Sequence, residues 1–135
     1  MKNNFLIKII KTFSRKEMTR FWEFAHSPYH NKHGEVRLLT DYLNKVYPDF
    51  GEKKSNRHVL FLKLFPGEKF DQKRLALLFT YTLRLLEKFL SVEQLKSDDF
   101  HEKMFLLRRL RSKELFAFYD KKLPEAARIL KKKQS

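Results

Sequence analysis

The sequence predicts an all-α protein, on three observations. Only three Gly and four Pro occur in 135 residues, too few turn residues for a sandwich or barrel of short strands. Apolar side chains recur at three- and four-residue spacing along most of the chain, the period of a helix with one buried face. Ser, Asp or Asn stands ahead of several of those stretches, where a helix needs a side chain to cap it. The architecture expected is an irregular bundle of five or six helices or the opening of a helical-repeat array. Residues 1–130 are expected to form a single helical domain and 131–135 a basic solvated tail.

Taken in order, residues 4–12 place Phe5, Leu6, Ile9 and Ile10 on one face, continued by Phe13. This predicts a short amphipathic helix, with a strand over Phe5–Ile10 as the alternative. Ser14-x-x-Glu17 is a capping box, and Phe13 and Met18 stand at the hydrophobic-staple positions around it. Met18, Phe21, Trp22 and Ala25 then mark a helix ending near His26, before Ser27-Pro28. Residues 27–34 form a loop. Val36, Leu39, Tyr42, Leu43 and Val46 mark the next helix, which Pro48 stops. After a polar turn at Asp49–Lys54, a shorter helix starts at Ser55 or Asn56 and carries Val59, Leu60, Leu62, Leu64 and Phe65. A β-hairpin across Pro66-Gly67 competes with it, but alternation extends no further than Phe61–Phe65.

Asp71 caps a long helix reaching about Gln94, with Leu75, Leu78, Phe79, Thr82, Leu85, Leu86, Phe89 and Leu90 inward. Ala76, Leu77, Tyr81 and Leu83 widen its apolar stripe, which predicts a central, buried helix. A further helix starts at Ser97-Asp98-Asp99, contains Phe100, Met104, Leu107, Leu110, Leu115 and Phe116, and extends to Tyr119. Pro124 suits the first turn of a last short helix through Leu130. These last stretches hold more apolar surface than one small bundle uses, which points to a protein partner or to a C-terminal continuation that would cover it.

The formal net charge is +14, concentrated as +5 over residues 1–20, +4 over 51–74 and +7 over 101–135. Such blocks attract phosphates or acidic proteins when the fold gathers them on one surface, and otherwise keep an apolar protein dissolved. Lys8, Lys11, Arg15, Lys16 and Arg20 on the opening helices are candidate phosphate contacts, as are Arg108, Arg109, Arg111 and Lys113. Cysteine is absent, which excludes disulfides, a thiolate nucleophile and Cys-type zinc sites. Lys8 interrupts the N-terminal apolar run, so no secretory signal is expected, and no stretch is apolar enough for a membrane span. The expected location is cytoplasmic.

No catalytic constellation emerges. His26, His30 and His33 cluster in sequence, but H-x3-H-x2-H across a proline is no established zinc spacing. Glu23-x-x-His26 and Asp98-x-x-His101 have the carboxylate–histidine spacing of di-iron bundles, with Asp41 and Glu87 as the remaining acids. Asp98 reads more simply as a helix-start residue. His101-Glu102 begins like H-E-x-x-H, but Phe105 stands where the second histidine belongs. The expectation is therefore no catalytic residue, no metal site and no cofactor.

The segment Phe21-x-x-Phe24-x-x-Ser27-Pro28-Tyr29-His30-Asn31-Lys32 is followed by Leu39-x-x-Tyr42-Leu43-x-x-x-Tyr47-Pro48-x-Phe50. Leu64-Phe65-Pro66-Gly67-x-x-Phe70-Asp71 then precedes Leu83-x-x-Leu86-x-x-Phe89-Leu90. This order of motifs resembles the N-terminal part of a group of larger, mostly helical bacterial proteins with no assigned activity. The resemblance implies continuation in helix pairs like those of tetratricopeptide-type scaffolds, this chain being a truncated or stand-alone version. Within it, the loop Tyr29, His30, Asn31 and Lys32 has two readings. Pro28 stops a helix, Tyr29 packs between helices and Asn31 caps the next one, or the loop binds a partner. The function expected is a non-catalytic protein-interaction module or N-terminal domain of a larger scaffold. The alternative is non-specific electrostatic binding of nucleic acid.

Overall fold

A helix leaves its first amide N–H groups without carbonyl partners, so side chains just ahead of it decide where it begins. The computed structural model describes residues 4–51 and 56–134. Glu52–Ser55, with half of the expected polar turn and the alternative start at Ser55, lie outside the described residues, as do Met1–Asn3 and Ser135. The described residues are all-α, with no strand among them: α1 (Phe5–Ile10), α2 (Arg15–His26), α3 (Gly34–Val46), α4 (Arg57–Leu64), α5 (Gln72–Lys96), α6 (Asp99–Ser112) and α7 (Phe116–Gln134). They divide into two compact units, Met1–Phe89 and Leu90–Ser135, the boundary falling within α5.

In the first unit, the Asn4 side chain accepts from the Ile7 N–H at 3.2 Å and starts α1 as a helix, not a strand. Leu6, Ile7 and Ile10 are buried, whereas Phe5 is 62% exposed. The inward stripe is thus rotated by one residue from the expected one, Ile7 taking the place given to Phe5. The capping box of α2 is formed from both sides: Glu17 N–H donates to Ser14 Oγ at 3.2 Å, and Ser14 N–H donates to Glu17 Oε1 at 3.0 Å. Phe13 and Met18 are buried around it, as the staple requires. Met18, Phe21, Phe24 and Ala25 form the inner face of α2, and Trp22 sits half-buried at its edge.

α3 returns antiparallel to α2. Arg15 at the start of α2 donates to Asn44 Oδ1 at 2.8 Å, and Trp22 Nε1–H donates to Asp41 Oδ1 at 2.6 Å. Thr40 is fully buried, its hydroxyl satisfied by the Val36 carbonyl at 2.7 Å. Asn56 starts α4 by accepting from the His58 and Val59 N–H groups. Leu60, Phe61 and Leu64 turn inward, while Val59 and Leu62 are exposed.

Pro66-Gly67 is a turn between helices and not a hairpin: Glu68 N–H donates to the Phe65 carbonyl at 3.2 Å, with Gly67 at φ 80. Positive φ at the position after Pro is the geometry for which glycine carries no Cβ penalty. Arg74, which nothing in the sequence marked out, fastens this turn. Its guanidinium lies 3.8 Å from the Phe65 ring centroid and bonds Glu35 of α3 and Glu68 of the turn. Glu35 first, and Glu68 with it, hold its pKa above the ordinary value.

α5 begins where Asp71 accepts from the Arg74 N–H at 3.1 Å and extends to Lys96. Leu75, Leu78, Thr82, Leu85, Leu86 and Phe89 form its buried stripe. It is not covered all round: Leu77 is 51% exposed and Leu90 36%. Within the largely aliphatic core of the unit stands an aromatic cluster. Phe89 of α5 lies 5.3 Å from Phe21, 5.5 Å from Phe24 and 5.9 Å from Phe13, between ring centroids.

Candidate interaction surface

The second unit is built on the hairpin of α6 and α7. Asp98 caps α6, accepting from the His101 N–H at 3.1 Å and meeting the His101 ring at 2.7 Å and Lys133 of α7 at 3.2 Å. The di-iron spacing Asp98-x-x-His101 is therefore a helix cap with its own histidine. The helix ends in a Schellman motif, Leu115 N–H donating to the Leu110 carbonyl and Glu114 N–H to the Arg111 carbonyl. Glu114 occupies the left-handed position at φ 59, where glycine is usual. With no glycine to mark the break, the sequence reads as one helix from Asp98 to Tyr119.

α7 starts at Phe116, not at Pro124, which lies inside it. Proline there removes one donor, the one that would serve the Asp120 carbonyl, and the helix passes through. α7 continues over Lys131–Gln134, all exposed.

One flank of the hairpin is polar. Asp99, Glu102 and Lys103 of α6 meet Glu125, Arg128 and Ile129 of α7 around a shallow cleft of about 330 Å³. Glu125 pairs with Lys122 at 3.0 Å and Lys103 at 3.4 Å, and these partners, Lys122 first, hold its carboxyl below the usual range.

The opposite flank is apolar along α7 and carries two arginines on α6. At 100° per residue, Phe100, Met104, Arg108 and Arg111 share the far edge of α6, and Phe116, Leu123, Ala127 and Leu130 that of α7. Among the described residues of the second unit only Leu107, Leu110 and Ala126 are buried, whereas Met104 is 39% exposed, Phe116 55%, Leu123 45% and Leu130 42%. Phe105, Leu115 and Phe118 are also exposed. Arg108 lies over the Phe105 ring at 5.6 Å and Lys122 over Phe118 at 5.4 Å.

The candidate basic residues fall into two sets, one in each unit. Lys8 with Lys11 on and just after α1, and Lys16 with Arg20 on α2, are exposed pairs at helical spacing. Lys8 reaches the Phe5 ring, at 5.7 Å. Arg15 is committed to Asn44 and lies over the Tyr47 ring at 5.4 Å. Arg108 with Arg111, and Arg109 with Lys113, form two further exposed pairs at the end of α6.

In the loop, the expectations for Tyr29 and Asn31 are corrected. Tyr29 is 91% exposed and packs between no helices. Asn31 does not cap α3, whose N-cap is His33 without a side-chain bond. It is buried instead and ties the loop together, donating to the Ala25 carbonyl at 2.8 Å and accepting from the His33 N–H at 3.0 Å. His30 stacks on Phe24 at 4.0 Å, and Lys32 is exposed. The three histidines turn to different partners, His26 to Asp41, His30 to Phe24 and His33 to Tyr81. Among the described residues no group of three or more His, Asp or Glu is placed to hold a metal ion, and no helix is long and apolar enough to cross a membrane.

The cap of α6 carries a pH prediction. The His101 N–H first, then Lys133 and the His101 ring, lower the Asp98 carboxyl from 3.8 to about 2. A carboxyl depressed by folding stabilises the folded state above its unfolded pKa and loses that contribution as pH falls through the folded one. Wild type is therefore expected to melt above Asp98→Asn at neutral pH, the gap closing between about pH 4 and pH 2. Thermal midpoints of both proteins across that range check it, and a constant gap would refute it. Comparison of the chain with protein-family models, curated proteins and solved structures finds no match.

Proposed function

We propose that this chain is a non-catalytic, cytoplasmic protein-interaction module, acting alone or as the N-terminal domain of a larger scaffold. The observation that carries the reading is the apolar flank of the α6–α7 hairpin. A helix pair with Leu107, Leu110 and Ala126 buried but Met104, Phe116, Leu123 and Leu130 open has an apolar surface to offer another helix. Exposed apolar residues occurring singly need no explanation, but a contiguous row of them marks interaction sites. An irregular bundle that opens a helical-repeat array would present such a flank to the next helix pair. The order of motifs from Phe21 to Leu90 fits the same reading, as the N-terminal part of a larger helical protein.

A second reading, non-specific binding of single-stranded nucleic acid, is favoured by one observation. Phe105 and Phe118 are exposed beside Arg108 and Lys122, and cations interleaved with open rings suit phosphates and stacked bases.

One experiment separates the two. The chain, immobilised and exposed to extract of its own source cells, is compared with a Phe116→Ser, Leu123→Ser, Leu130→Ser variant, with and without nuclease. The expected result is a protein retained in stoichiometric amount by wild type, resistant to nuclease and lost with the variant. Retention that nuclease abolishes and the variant preserves would overturn the module reading in favour of nucleic acid.

A further inference from the structure

Phe116, Leu123 and Leu130 stand seven residues apart on α7. Two turns of helix separate each from the next, so they form one straight seam. Tyr119 and Ala126 fill the intermediate positions of the same heptad pattern and lie further in, Ala126 only 3% exposed. The seam extends about 21 Å at 1.5 Å per residue, the length of a four-turn helix. Ala126 and Ala127 keep its middle shallow, and small residues let a neighbouring helix approach closely. Met104 borders the seam from α6.

The charges along the seam have one dominant sign. Residues 101–135 carry +7. Glu125 is already engaged by Lys103 and Lys122 on the polar flank, and Asp98 by Lys133 and His101. The rim beside the seam is left with Arg108 and Arg111 on α6 and Lys131 on α7, all exposed, against Asp120. A second copy of this chain would set these cations against their equivalents, in a protein of net charge +14. Nucleic acid would meet the cations and could stack on Phe116 but would gain nothing from Leu123 and Leu130, since bases stack on rings.

Resting on the reading of the chain as an interaction module, we propose that the seam of Phe116, Leu123 and Leu130, with Met104 beside it, docks an acidic amphipathic helix of about four turns. Its leucine-type face fills the seam, and its carboxylates meet Arg108, Arg111 and Lys131. Opposite potentials across the rim speed encounter and fix which helices are accepted, while the apolar seam sets the lifetime of the complex.

The test is selection from a displayed library of 21-residue helical peptides, randomised at every heptad position, against the full chain. Selected peptides are then synthesised and measured against two variants. Leu123→Gln with Leu130→Gln removes the apolar seam and keeps the charge. Arg108→Gln with Arg111→Gln removes two of the three rim cations and keeps the seam. Both pairs are at least partly exposed, and circular dichroism confirms that each variant is folded. The expected peptides are enriched in Asp and Glu around apolar residues at three- and four-residue spacing, and each pair weakens them at least tenfold. Peptides that bind but lack the acidic pattern, or ignore either pair, overturn the inference and leave the module reading standing. Failure to enrich any peptide overturns the inference. If a 20-nucleotide oligouridylate then binds and is insensitive to the leucine pair, the module reading falls with it.

Discussion

Phe21→Ala is expected to lower the unfolding free energy by about 3–5 kcal/mol, the range for truncating a buried phenylalanine. Phe21 is fully buried, and its ring lies 5.3 Å from Phe89 and 6.3 Å from Phe13 between centroids. Truncation removes the edge-to-face contact with Phe13 and the tilted contact with Phe89 together. It also leaves a ring-sized void between α2 and α5, which neighbouring rings cannot fill by rotating. A domain of ordinary stability has about 5–15 kcal/mol in all, so the variant should lose a large share of it. Urea titration followed by circular dichroism measures the loss. The control is Phe5→Ala, at a ring that is 62% exposed, expected to change stability by about 0.5 kcal/mol or less. Equally small losses from the two would mean that the aromatic cluster does not hold the unit.

That pair of variants marks the limit of what the sequence made legible. Helix starts were readable from capping side chains at Ser14, Asp71 and Asp98, and to within one residue at Asn56, because the chemistry is local; the cap at Asn4 went unread. Which of two nearby apolar residues turns inward was not readable. Phe5 and Ile7 both fit a helical face, and tertiary packing chose Ile7. The break between α6 and α7 was invisible because Glu114 takes a left-handed conformation that glycine normally signals. Pro124 misled in the opposite direction: it reads as a helix start, yet α7 passes through it. Arg74 could not have been found, since its partners Glu35 and Glu68 come together only in the folded chain. The surplus of apolar residues on the two helices that follow Asp71 and Ser97 was legible as composition. Its arrangement as a seam opposite a polar flank was not, because that depends on where α7 begins.

Asn31 was legible as a notable residue but not in its role, and its replacement is the second large effect expected. It is 8% exposed and bridges the loop between α2 and α3. Its amide donates to the Ala25 carbonyl at 2.8 Å and to the His33 carbonyl at 3.3 Å, and its oxygen accepts from the His33 N–H at 3.0 Å. Asn31→Ala leaves those backbone groups without their side-chain partner, at about 1–3 kcal/mol for each buried group left unsatisfied. A loss of about 2–4 kcal/mol is expected. Asn31→Asp discriminates further. An ionised carboxylate accepts only, so it can still receive the His33 N–H but sets an oxygen against the Ala25 carbonyl. It should therefore be no better than alanine at neutral pH, and should recover on acidification, when its protonated form can donate again. Tyr29→Ala, two residues away at a ring 91% exposed, should shift stability by about 0.5 kcal/mol or less. Urea titrations of the three variants at neutral and acid pH decide the matter. A large loss at Asn31 with none at Tyr29 divides the loop into an internal brace and a free aromatic side chain held at the surface. Small losses at both would mean that the buried amide carries no load and that the fold of the loop is set by Pro28 and the ends of the two helices.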